Sequence, residues 1–122
     1  MAKYVDGFVL VVPKKKVAEY KKMARMGAKM WMKYGALSYK ECMINDAKPQ
    51  WVTLTFPKMA KSKGSETVWF SYIEYKSKKH RDEVNAKVMK DPAMNDPKYK
   101  DKPMPFDMKR MAYGGFSVEV EG

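Results

Sequence analysis

Residues 75–92 read Y-K-S-K-K-H-R-D-E-V-N-A-K-V-M-K-D-P, and the fold turns on them. A strand-like run ends here, and a helix with a clean start and a hard stop follows. Ser77 is a good N-cap, because its hydroxyl can accept one of the orphan backbone N–H groups of the first turn. Val84 and Val88, four residues apart, centre the inner helical face. His80, Arg81, Lys87 and Asp91 sit at the edges of that face, with Asn85 a little further round. The apolar stripe is thin, so polar groups must share in the packing. Asp91-Pro92 ends the helix, since a residue before proline avoids the α region.

Working outward, residues 67–75 alternate as the strongest strand. Trp69, Ser71, Ile73 and Tyr75 lie on one side, and Val68, Phe70, Tyr72 and Glu74 on the other. Beyond the helix, Pro92, Pro97, Pro103 and Pro105 predict an ordered loop without helix or central strand. Residues 108–121 read as the last strand. Its Gly114-Gly115 pair signals a bulge or a close backbone approach.

Toward the N-terminus, residues 3–12 read as a strand, with Tyr4, Asp6, Phe8, Leu10 and Val12 opposite Val5, Gly7, Val9 and Val11. Pro13 suits the first turn of a helix running to about Tyr34, and Gly35 supplies a left-handed C-cap. Val17, Tyr20, Ala24, Gly27, Ala28 and Trp31 share its inner face; Met23, Met26 and Met30 flank it as gap fillers or a partner surface. Residues 36–44 form a second strand. A long connection follows over 45–66, in which 53–56 is a candidate short edge strand.

The element order is strand, helix, strand, strand, helix, strand. It predicts one α+β domain over residues 1–122: a ferredoxin-like βαββαβ fold, a four-stranded antiparallel sheet with two helices on one face. Strands one and three are apolar on both sides, so the open face needs a cover. A second copy packed sheet against sheet, a homodimer about a twofold axis, is the expected solution.

Composition narrows the classes. At 45% hydrophobic residues the chain is globular rather than disordered. Its longest aliphatic run, residues 8–12, is far too short to cross a bilayer, so no membrane partner is expected. The start, M-A-K-Y-V-D-G-F, lacks a signal-peptide pattern, and the lone Cys42 suits a reducing compartment; a cytoplasmic location is expected. The formal charge of +11 invites an anionic partner. Yet the basic residues (Lys14–Lys16, Lys21, Lys22, Lys76, Lys78, Lys79, Arg81, Lys98, Lys100, Lys102) are spread out and mostly lysine, which does not favour bidentate phosphate recognition or a nucleic-acid partner.

The candidates for chemistry each carry two readings. Asp6, inside an apolar strand, is a cavity carboxylate or a buried acid satisfied by Arg or Tyr. His80 is a general base or a structural hydrogen bond across the helix–sheet seam. Arg81 with Asp82, and Asp107 with Arg110, are anion-binding pairs or braces for loops. Tyr113 offers its hydroxyl to a cavity or lies in the core. Asn85 joins them as a ligand contact, with Trp31, Phe70 and Tyr72 as walls. Cys42 reads as a small buried hydrophobe. One His and one Cys cannot build the usual zinc site, no glycine-rich phosphate loop is visible, and no cofactor is expected.

Several blocks also resemble a known family: K-Y-V-D-G-F at 3–8, V-P-K-K at 12–15, Y-G-A-L-S-Y at 34–39, the 75–92 stretch, and M-P-F-D-M-K-R-M-A-Y-G-G-F at 104–116. Together they are similar, nearly end to end, to the YbaA-like family of small bacterial proteins, a domain of unknown function. The resemblance implies the dimeric α/β-barrel superfamily, which includes cofactor-free monooxygenases and isomerases. The chain departs from the family pattern in the loop after strand two and in its excess of Lys and Met. The expected function is binding or transformation of a small organic molecule in a cavity between sheet and helices. The alternative is a non-catalytic binding or stress-associated protein that contacts RNA through its basic surface.

Overall fold

Ten alternating residues build β1, Tyr4–Pro13, which lies inside the sheet. In this computed structural model, residues 3–97 and 102–122 are described; Met1, Ala2, Lys98 and Lys100, which entered the sequence reading, lie outside them. β1 pairs antiparallel with β3, Glu66–Tyr75, on one side and with β4, Ala112–Ser117, on the other. β2, Ser38–Met43, pairs with the outer side of β3, giving the order β2-β3-β1-β4. α1, Val17–Lys33, joins β1 to β2, and α3, Lys78–Lys90, joins β3 to β4; each passes over one intervening strand. This is the α+β, ferredoxin-like arrangement of the split βαβ pattern.

Local chemistry sets the ends. The Ser77 hydroxyl accepts the His80 backbone N–H at 3.0 Å and starts α3. Gly35, at φ 108°, makes the left-handed exit from α1 that a side chain would resist. The helices cover the face that carries Tyr4, Asp6, Phe8, Leu10 and Val12. Met30 of α1 and Val84 and Val88 of α3 pack there with Ile73 and Tyr75, while Tyr20 and Ala24 pack with Leu10, Val12 and Trp69. Burying a valine such as Val88 stabilises the fold by about 1.5–3 kcal/mol. On the opposite face Val11 and Val68 are sealed by Ala60 of the short helix α2, Phe56–Ala60. Among the described residues the rest of that face stays open, and Phe70 and Phe116 are 47% and 61% exposed on it.

Several expectations need correcting. The 53–56 edge strand is absent: Thr55 caps α2 by accepting from Lys58 N–H, and Pro57, with no N–H to give a ladder, suits a first turn. The first turn after Pro13 is a 3-10 turn, Lys14–Lys16, and another, Pro92–Asn95, opens the proline-rich loop. The last strand is short, because Met108–Arg110 coil into a 3-10 turn capped by Asp107. Gly114-Gly115 make no bulge; the register Asp6↔Gly115, Gly7↔Gly114 is unbroken. The glycines instead let aromatic rings cross the strand. A Cβ on Gly115 would sit 2.1 Å from the Tyr4 hydroxyl, and one on Gly114 would sit 3.2 Å from the Phe116 ring. Cys42 is exposed, because it alternates onto the open face of an edge strand.

Candidate functional site

β1, β4 and α3 bring three of the sequence candidates together. Asp6, 2% exposed, points to the helix side of β1. Arg81, from the first turns of α3, reaches back with Nη1 to Asp6 Oδ1 at 2.8 Å and to the Tyr113 hydroxyl at 2.6 Å. That hydroxyl in turn donates to Asp6 Oδ1 at 2.9 Å, closing a triangle. Arg81 Nε donates to Asp82 at 2.7 Å, and the guanidinium lies 5.0 Å over the Tyr4 ring. Burial works against the Arg81 charge, but the Asp82 hydrogen bond and the Asp6 charge raise its pKa overall. Burial, then the hydrogen bond to Asp6, pushes the Tyr113 hydroxyl up, so it stays a donor.

Beside the triangle lies a cleft of about 310 Å³ lined by Asp6, Phe8, Trp31, Ile73, Asn85, Met111 and Tyr113. Two polar groups remain for an occupant. Asp6 Oδ2 accepts no hydrogen bond among the described residues, and Asp6 is one of the residues that line the cleft. Asn85 uses its Oδ1 to accept from Trp31 Nε1 at 3.0 Å and the Tyr75 hydroxyl at 3.4 Å. This fixes the amide orientation and leaves its NH2 as a donor. The walls are otherwise apolar. A lone acceptor and a lone donor in an apolar cleft suit a small organic molecule with one polar end.

The other candidates lie elsewhere. His80 Nδ1 accepts the Lys76 backbone N–H at 3.0 Å, and its ring stands edge-on to Tyr75, beneath Gly35. It braces the start of α3. Phe70 and Tyr72 pair at 5.8 Å on the open face, because alternation turns them away from the helices; they cannot wall a cleft between sheet and helices. Arg110 grips Glu66 with two bonds of 2.9 and 2.7 Å and Asp107 with one of 2.7 Å, pinning the turn before β4 to the start of β3. Sequence reasoning missed Phe8, Ile73 and Met111 as walls; their only signal was membership of the helix-side alternation or the turn beside it.

The Arg110 brace has a pH signature. Its hydrogen bonds lower the Glu66 carboxyl from 4.5 to about 2. A carboxylate favoured in the folded state gives stability that is whole above its unfolded pKa and is lost as pH falls through the folded one. Urea midpoints of the wild type are therefore expected to fall between pH about 4.5 and 2, and those of Glu66→Gln to fall less steeply there.

Comparison with known proteins bears on the whole chain. Residues 3–108 match the model of a family described as "Protein of unknown function (DUF1428)". The chain is 46% identical over 119 residues to the uncharacterized protein YbaA of Escherichia coli K12, covering 98% of each chain. The YbaA protein of Shigella flexneri matches with the same identity and coverage. No helix among the described residues is long and apolar enough to cross a membrane.

Proposed function

The chain belongs to the DUF1428 family, whose description assigns no activity, and from its site we propose a homodimeric protein that binds a small carbonyl-bearing molecule and moves a proton on it. One observation carries this reading: Asp6 is buried, yet keeps an unshared oxygen on an apolar cleft. Arg81 and Tyr113 hold the other oxygen, so the carboxylate is oriented before a ligand arrives. Asp6 Oδ2 takes a proton from a carbon next to the carbonyl; the C–H electron pair becomes a carbon–carbon double bond, and the carbonyl π pair moves onto the oxygen. The Asn85 amide donates to that oxygen as its charge grows. Return of the proton at the same or a neighbouring carbon completes exchange or isomerisation, with no co-reactant.

The test follows deuterium uptake from D2O into a panel of small ketones and enones by NMR. Wild-type protein is expected to accelerate uptake, and Asp6→Asn to lose that acceleration by at least about a hundredfold. Asn85→Ala is expected to keep a smaller part. If no panel member binds in native mass spectrometry and none exchanges, the reading fails. Binding without exchange by the wild type removes the proton transfer and leaves a binding protein. Salt-dependent retention of RNA on the same samples would favour the RNA-contacting alternative.

A further inference from the structure

Glu41, on the edge strand β2, carries chemistry that the Asp6 cleft does not use. Its Oε1 accepts from the hydroxyls of Tyr20, at 2.7 Å, and Ser71; its Oε2 accepts from Tyr39 alone, at 2.7 Å. The donors come from α1, β2 and β3. Burial first, and Glu41 next, raises the pKa of both tyrosines, so they remain protonated donors. No cation pairs with Glu41 among the described residues. The arrangement is built: a Cβ on Gly27 would lie 2.8 Å from the Tyr39 oxygen, so only glycine on α1 lets that hydroxyl sit there.

Where α1 passes the sheet, Ala24 and Ala28 leave a second cleft, of about 360 Å³, that shares no lining residue with the first. Glu41 and Tyr39 lie in it with Trp69 and Met43. Lys21 and Arg25, exposed and one helical turn apart, complete the lining; neither makes an ion pair among the described residues. The lining thus holds an acid set among three hydroxyls and two unpaired cations on the helix, with apolar surface between. A simple anion meets Glu41. A simple amine meets Lys21 and Arg25 on a chain of charge +11. A neutral molecule answers neither charge. A ligand carrying both signs answers both.

We propose that this cleft binds a free α-amino acid with an apolar side chain. Its ammonium sits on Glu41 Oε2, which accepts from Tyr39 alone, its carboxylate faces Lys21 and Arg25, and its side chain lies against Trp69 and Met43.

Calorimetric titration of the wild-type chain with L-leucine tests this, against isoamylamine, which lacks the carboxylate, and isocaproate, which lacks the amine. Leucine is expected to bind with Kd below about 1 mM, and each analogue at least about tenfold more weakly. Glu41→Gln is expected to lose leucine binding. The surface double variant Lys21→Ala, Arg25→Ala, which disturbs no packed residue, is expected to bind leucine no better than isoamylamine. Absence of leucine binding up to about 10 mM overturns the proposal. So does equal wild-type affinity for leucine and isoamylamine, or unchanged leucine affinity in Glu41→Gln.

Discussion

Replacing Arg81 by methionine is expected to lower the unfolding free energy by about 3–5 kcal/mol, because it strands a buried carboxylate without its cation. Asp6 is 2% exposed and the Arg81 side chain 13%, so neither charge can recover much hydration if the pair is broken. Methionine keeps much of the stem that packs beside Tyr4 but removes every donor. Arg81→Lys should fall between, since an ammonium can answer Asp6 but cannot also hold Tyr113 and Asp82 as the planar guanidinium does. The decisive comparison is Asp6→Leu with Arg81→Met. Once both charges are gone the desolvation cost goes with them, so the double variant should be more stable than Arg81→Met alone. Urea denaturation reads all three. A loss under about 1 kcal/mol in Arg81→Met would mean that Asp6 is solvated or otherwise paired, and the oriented carboxylate would go with the pair.

That pair was legible as a need before its partner was known. An acid between apolar strand residues has to find a cation or a hydroxyl, and Arg81 at the edge of the α3 face was one of few arginines available. Ser77, Val84, Val88 and the Asp91-Pro92 stop fixed α3 from local chemistry alone. Period two, by contrast, sorts residues onto two faces but does not say which face the helices take when both are apolar. Phe70 and Tyr72 therefore read as cleft walls, but lie on the open side. The β4 length escaped for a different reason: Asp107 caps a turn, and the capping competes with extension. Glu41 gave least warning. A charged residue on an edge strand reads as solvated, and the three hydroxyls that hold it arrive from residues 20, 39 and 71, a convergence only the fold supplies.

The open face makes the other large prediction. Val5, Phe70, Tyr72 and Phe116 present an apolar surface on β1, β3 and β4 that no helix among the described residues covers, since α2 seals only the Val11–Val68 end, against which Val9 packs. A second copy is the cover we propose for it: the patch straddles the sheet centre, so a twofold axis through it would set like against like. The rim carries both signs, Lys40 and Glu74, so two copies meet no wall of single charge. The wild type is accordingly expected to sediment at twice 14.2 kDa at micromolar concentration. Phe70→Glu with Phe116→Glu should weaken association by at least about a thousandfold, each aromatic anchor being worth about 2 kcal/mol or more. Both side chains point away from the helices, so circular dichroism should remain that of the folded chain, which separates lost association from lost folding. A wild type that sediments as a monomer, or a double variant that keeps the wild-type mass, would remove the second copy from this face. In that case Phe116 would have to be explained by its contact over Gly7 and Gly114 alone, where its ring lies 3.4 and 3.2 Å from the positions a Cβ would take.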